Sequence, residues 1–130
     1  MKVLVTGGAG YKGISLVKKL LDKGHSVTIL DNFMYGYDPI LQIVNNPKLS
    51  IIQQDIRNIS NTSVKGQDVI FHLAGISGMP ACASNPDSAE NINVGSTEKL
   101  VNLLDKNQLL INASTIRPLM HKLGFNKFTD

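Results

Sequence analysis

The sequence predicts an α/β fold, a parallel sheet with helices on both faces, and three observations carry that reading. Short apolar runs alternate with helical patterns along the chain. The first such run, Val3-Leu4-Val5, leads directly into Thr6-Gly7-Gly8-Ala9-Gly10-Tyr11-Lys12-Gly13 and then into a helical stripe. The next run, Val27 to Leu30, ends in Asp31, so strand, glycine turn, helix and strand fill about thirty residues. At 130 residues, 42% hydrophobic and 18% charged, the chain has the balance of a soluble globular protein with one core.

The first helix rests on Leu16, Val17, Leu20 and Leu21, which share one stripe, with Lys18, Lys19, Asp22 and Lys23 opposite. Gly24 stops it. Asn32 to Pro39 mixes turn formers with aromatics and reads as a loop, followed by a short helix from Pro39 to Val44 that Asn45-Asn46-Pro47 ends. Ser50 to Gln54 is the third strand and delivers Asp55-Ile56-Arg57 at its carboxyl end. Asp68 to Ala74 reads as a buried fourth strand, followed by a long loop from Ile76 to Pro86. The longest helical pattern runs from Pro86 to about Lys106, with Ala89, Ile92, Ser96, Leu100, Leu103 and Leu104 on one stripe. Leu109 to Ala113 is the fifth strand, presenting Ser114 and Thr115. Right-handed crossovers then give a sheet order of 3-2-1-4-5. The pattern is lost from Ile116, so residues 1–115 form the domain and 116–130 a divergent tail.

The glycine turn has the chemistry of a dinucleotide site. Gly7 permits a tight exit from the strand, Gly10 lets backbone approach a pyrophosphate, and Gly13 lets the helix pack close. The phosphates would meet the free amides and positive dipole end of the helix. Asp31 is placed to accept hydrogen bonds from an adenosine ribose. A carboxylate about 4 Å from a 2′-phosphate meets roughly 4 kcal/mol of repulsion per unit charge at an effective dielectric near 20, which favours NAD over NADP. Lys12 is either a solvated lysine, the preferred reading beside Asp31, or a partner for a 2′-phosphate. Asp55 is placed to bond adenine with Ile56 against the ring, or else it is a turn cap. Backbone can approach a cofactor at Ala74 and Gly75. His72, alone in an apolar run, reads as a satisfied core residue and not as a catalyst, and Cys82 as a packed thiol.

Several classes are excluded. The net charge is +3, yet Lys18-Lys19 is the longest basic run, so a nucleic-acid partner is not expected. A single cysteine excludes an intrachain disulfide, and no Cys/His spacing suggests a metal. No secretory signal or membrane-length apolar run is present, and a cytoplasmic protein is expected.

Together, Val3 to Gly13, Asp31-Asn32-Phe33, Asp55-Ile56-Arg57, Phe71-His72-Leu73-Ala74, Pro86, Asn93-Val94 with Thr97, and Ala113-Ser114-Thr115 resemble one family. It is the extended branch of the short-chain dehydrogenase/reductases, the NAD-dependent epimerases and dehydratases of nucleotide sugars. The resemblance covers residues 1–115 and implies an incomplete, Rossmann-like amino-terminal half. It also implies roles. Gly7, Gly10 and Gly13, with neighbouring Tyr11 and Lys12, would hold the pyrophosphate. Asp31 and Asn32 would hold the adenosine ribose side, and Asp55 and Ile56 the adenine. Leu73, Ala74 and Gly75 would face the cofactor, and Asn93 the nicotinamide side. Thr115 would bond the substrate hydroxyl or carbonyl, while in the family a tyrosine removes the proton and a lysine four residues later lowers its pKa.

That Tyr-x-x-x-Lys pair is absent: Tyr11, Tyr35 and Tyr37 are followed at the fourth position by Ser15, Pro39 and Leu41. Lys12 and Ile14 also depart from the usual apolar residue and serine. Three functions are therefore expected in turn. The first is the NAD-binding part of a nucleotide-sugar epimerase or dehydratase, truncated after about Thr115, inactive alone and meeting its substrate only if the missing half is supplied. The second is a stand-alone NAD-binding sensor. The third is an interaction protein, associating with a further copy or partner chain through the long helix or the fifth-strand edge.

Overall fold

The computed structural model describes residues 1–75 and 94–112. Within them, β1 (Lys2–Thr6), β2 (Ser26–Asp31), β3 (Leu49–Gln53), β4 (Val69–His72) and β5 (Leu109–Asn112) form one sheet. Its order is β3-β2-β1-β4-β5, the predicted one, and every neighbouring pair is parallel. Three helices, α1 (Tyr11–Asp22), α2 (Asn61–Val64) and α3 (Ser96–Leu103), accompany it, with 3-10 turns at Asp38–Ile40 and Ile56–Asn58.

Alternation along the strands divides the core in two. Val3, Val5, Val27 and Ile29 face α1, which buries Gly13, Val17 and Leu21 against them. Leu16 and Leu20 are only partly buried, at the rim of that cluster. Leu4, Leu30 and Ile70 point the other way and meet Ile56, Ile59, Val64 and Leu100. A central strand covered on both faces needs apolar residues at every position, which is why β1 and β2 read as continuous runs. Each fully buried aliphatic side chain contributes roughly 1.5–3 kcal/mol. Gly24, at φ +86°, ends α1 as predicted.

Some boundaries differ from expectation. The helix predicted at Pro39–Val44 contracts to the 3-10 turn at Asp38–Ile40, since six residues give too few hydrogen bonds to offset nucleation. The last described helix stops at Leu103, before Lys106, and Leu104 turns extended. There Asp105 folds the chain back, accepting from Asn107 N–H at 2.8 Å and donating its own N–H to Gln108 Oε1 at 3.0 Å. β4 ends at His72, so Leu73 and Ala74 lie just beyond the strand. The turn at Ile56–Asn58 is the one that Asp55 caps in its alternative reading, and the helix α2 was not foreseen. The helix start at Pro86, together with Ala113, falls outside the described residues. Among the described residues, no helix is long and apolar enough to cross a membrane.

Candidate functional site

β1 leaves the sheet at Thr6 and turns through Gly7, whose φ of +73° favours glycine. Gly7 N–H donates to the Leu30 carbonyl at 2.8 Å, and Gly10 N–H to the Gly7 carbonyl at 3.1 Å. Space is as restrictive as conformation. A Cβ on Gly7 would sit 2.7 Å from Ala74 N and 2.9 Å from the Leu73 carbonyl carbon. A Cβ on Gly13 would strike the Gly7 carbonyl oxygen and lie 2.8 Å from Gly8 Cα. Gly13 therefore sets how closely α1 approaches the turn and does not line the cleft. Beyond its own chain neighbours, a Cβ on Gly10 would meet the Gly7 carbonyl oxygen at 3.2 Å and no other atom of the described residues within 4 Å.

The same helix start is electrostatically prepared for an anion. α1 opens at Gly10 with no side-chain cap and no acidic residue in its first turn. Its first amides have no intrahelical acceptors, and the dipole there favours negative charge. An open glycine surface beside an uncapped helix start fits a pyrophosphate. Tyr11 and Lys12 stand exposed on that first turn, outside the cleft.

Gly7, Gly10, Asp31, Asn32, Asp55, Ile56, Leu73, Ala74 and Gly75 line one cleft at the carboxyl ends of β1 to β4. It encloses about 150 Å³, less than the roughly 300 Å³ of a small complete ligand pocket, so it would take part of a dinucleotide. A larger hollow of about 260 Å³ opens at the amino ends of the strands, near Lys2, Lys48 and Lys65. No predicted site residue lines it.

Asp31 is already engaged within the protein. Its Oδ2 accepts Ala9 N–H from the glycine turn at 3.0 Å, and its Oδ1 accepts Phe33 N–H at 2.8 Å. The carboxylate thus clamps the turn to the loop after β2, and each oxygen keeps a further lone pair for a ribose hydroxyl. That loop also lines the cleft, through Phe33, Met34, Tyr35 and Gly36, residues given no cofactor role from sequence. Asn32 Oδ1 accepts Met34 N–H at 3.0 Å. Phe33 adopts φ +57°, an uncommon conformation for a bulky residue. Burial and a stacked contact with Tyr37, ring centres 4.7 Å apart, hold it there. The aromatic density of residues 33–37 was the available signal.

Asp55 is a turn cap, the alternative reading of its position. It caps the turn at Ile56–Asn58 through Arg57 N–H, and its carboxylate takes the Arg57 guanidinium at 2.6 Å. The Arg57 hydrogen bond holds the Asp55 carboxyl below the usual carboxylate range. It nevertheless lies on the cleft wall beside buried Ile56.

His72 is a satisfied core residue, as expected. Its Nδ1 lies 2.7 Å from Thr6 Oγ1 and its Nε2 lies 3.0 Å from Thr97 Oγ1, and burial pushes its pKa down. Among the described residues, no group of three His, Cys, Asp or Glu side chains is placed to hold a metal ion. Asn93, Cys82, Ser114 and Thr115 lie outside the described residues.

A parallel sheet with a glycine turn, an uncapped helix start and a carboxylate ending β2 defines a dinucleotide-binding α/β protein. Sequence comparison narrows the class. The profile of the NAD dependent epimerase/dehydratase family matches residues 3–119, and the chain belongs to that family, whose cofactor is NAD. It is 40% identical over 106 residues to a 3 beta-hydroxysteroid dehydrogenase/Delta 5-->4-isomerase of Mycobacterium tuberculosis, covering 77% of this chain and 27% of that protein. It is 32% identical over 127 residues to a UDP-glucose 4-epimerase of Klebsiella pneumoniae, covering 89% of this chain and 91% of that one. Among solved structures, the dTDP-glucose 4,6-dehydratase DesIV of Streptomyces venezuelae, a double mutant with NAD bound, superposes with a TM-score of 0.73. The identity there is 27%, over 79% of this chain and 35% of the dehydratase. The chain thus spans about a third or less of the steroid dehydrogenase and the dehydratase.

Proposed function

We propose that this chain binds NAD as the cofactor-binding portion of an enzyme acting on a nucleotide sugar, and that the 130 residues alone do not turn over substrate. The observation that carries the reading is the convergence of Gly7, Gly10, Asp31, Asp55 and Ala74, from four strand ends, on one cleft. In this reading the α1 amides and Gly10 backbone hold the pyrophosphate. The free lone pairs of Asp31 take the ribose, and Ile56 with Asp55 forms the adenine wall. Leu73, Ala74 and Gly75 support the middle of the dinucleotide, while the family resemblance assigns Asn93 to the nicotinamide side and Thr115 to the substrate oxygen. NAD supplies hydride acceptance. The side chain that must remove the hydroxyl proton, a tyrosine with lysine four residues on, is not in this sequence.

Calorimetric titration with NAD and NADP at one salt concentration tests the first part. Saturable NAD binding, with NADP much weaker, is expected; equal affinities would sink the role given to Asp31. The second part is tested by assaying the 130-residue chain with UDP-glucose and NAD, where no turnover is expected. The outer strand offers a place for a partner: Leu109 and Ile111 of β5 are exposed. Covering of that exposed apolar face by another chain is therefore the second reading, and a monomeric mass in solution at high concentration would count against it.

A further inference from the structure

We propose that His72 is a positioning residue for the cofactor cleft: its neutral ring fixes the Thr6 hydroxyl as acceptor for Ala74 N–H, so that protonating His72 weakens NAD binding. The inference rests on the NAD reading above and adds a residue and a control to it.

Thr6 and His72 are register partners on β1 and β4, and both are almost wholly buried. Three hydrogen bonds meet there. Ala74 N–H donates to Thr6 Oγ1 at 3.3 Å, Thr6 Oγ1 and His72 Nδ1 are 2.7 Å apart, and His72 Nε2 and Thr97 Oγ1 are 3.0 Å apart. With Ala74 donating to it, the Thr6 hydroxyl satisfies its own hydrogen best on Nδ1. That choice leaves Nδ1 as acceptor and puts the ring hydrogen on Nε2, toward Thr97. The chain of bonds so formed runs from α3 through β4 and β1 to Ala74. Ala74 N is also the atom that leaves no room for a Cβ on Gly7. The backbone that lines the cleft and the glycine turn that would hold the pyrophosphate are therefore pressed together at the end of this relay.

Protonation puts a second donor on Nδ1. The Thr6 oxygen then faces two donors, the imidazolium and Ala74 N–H, while its own hydrogen loses its acceptor inside a site closed to water. The oxygen has lone pairs for both donors, but its hydrogen must rotate off Nδ1 into a buried setting, and the Ala74 bond, at 3.3 Å the longest of the three, is the one that this reorientation disturbs. No described charged group rescues the cation. On α3 Glu98 is exposed and Lys99 donates to the Arg57 carbonyl, while on the adjoining turn Asp55 and Arg57 pair with each other. β1 and β5 present Thr6 and Asn112 at this level, both uncharged.

The test measures NAD affinity of the whole chain by calorimetry from pH 8 to pH 5, with circular dichroism confirming the fold at each point, alongside ring-nitrogen NMR of His72. The expected result is a constant Kd above neutrality that weakens as pH falls toward 5, heading for a limit of about tenfold at full protonation of His72, the scale of one unsatisfied buried donor. By linkage, saturating NAD lowers the His72 pKa by about one unit, a response that a merely structural histidine would not give. The ring should show hydrogen on Nε2 in the free protein. Thr6→Ser keeps the pH dependence, whereas Thr6→Val and His72→Gln abolish it. Should His72→Gln not fold, the wild-type titration and Thr6→Ser against Thr6→Val decide. NAD binding that is independent of pH in folded protein, or hydrogen on Nδ1, overturns the proposal. Wild-type protein that binds no NAD at any pH overturns the cofactor reading itself, a distinguishable result.

Discussion

Gly13→Ala sets two physical effects against each other at one helical position. Propensity alone favours the change, because alanine in a helix interior is better than glycine by about 1 kcal/mol. Packing opposes it. The new methyl would strike the Gly7 carbonyl oxygen and lie 2.8 and 2.9 Å from Gly8 Cα and its carbonyl carbon. All three are backbone atoms, so no rotamer change relieves them, and overpacking of this kind costs about 1–3 kcal/mol. Taking the upper part of that range and subtracting the propensity gain leaves a net destabilisation of about 1–2 kcal/mol. Because the displaced atoms belong to the turn, NAD affinity should fall by tenfold or more. Urea unfolding followed by circular dichroism reads the first quantity, with an unchanged slope confirming that the folded state is the one affected. Calorimetry reads the second. Ser15→Ala, at an exposed position of the same helix, is the control and should be neutral or slightly stabilising. A Gly13→Ala protein as stable as the wild type with unaltered NAD affinity would refute the argument that Gly13 sets the approach of α1 to the turn.

Asp31→Ala should cost both stability and NAD binding, since it orphans the Ala9 and Phe33 amides; about 1–3 kcal/mol is expected by denaturant titration. The folded-state pKa of Asp55 lies below its ordinary 3.8 because of Arg57, so its contribution to stability is present above that value and lost as pH falls through the lowered pKa. Arg57→Gln should return the Asp55 titration toward 3.8 by carboxyl NMR, with little change in stability at neutral pH because the pair is half exposed on the arginine side. The folded pKa of His72 is also depressed, below 6.5. For this base the stability is complete above pH 6.5 and declines as acid drives the unfolded ring to its charged form first. An acid-unfolding profile of His72→Gln should lack that decline; an identical profile would remove the burial argument.

What was legible in the sequence was whatever repeats with a period or needs a special backbone. Val3 to Val5 and Val27 to Leu30 are apolar throughout because α1 covers one face and Ile56, Ile59, Val64 and Leu100 the other. Gly7 and Gly24 stand where φ is positive. The sheet order followed from handed crossovers. Less legible were features made by tertiary contact. Nothing in Asn61-Thr62-Ser63-Val64 has helical period over so few residues, and its place is fixed by Val64 entering the core and Gln108 bonding the Val64 carbonyl at 2.7 Å. Asp31 reads as a ribose ligand, yet its bonds to Ala9 and Phe33 join residues 22 and 2 positions away and depend on the folded turn. The His72 relay likewise spans 66 residues to Thr6, a distance at which spacing in the sequence carries no signal.

The placement of β1 between β2 and β4 has a consequence for the birth of the protein. During synthesis, β1, α1, β2 and β3 leave the ribosome as a nearly local unit and can zip together, but the other side of β1 pairs only with Val69–His72. Until that segment emerges, Val3, Leu4 and Val5 line an open strand edge, the kind of surface that recruits a neighbouring nascent chain. The most central strand of the finished sheet is thus, for a while, its most adhesive rim. The interval lasts while residues 54–72 leave the ribosome, which is when β1 is exposed to a neighbouring chain.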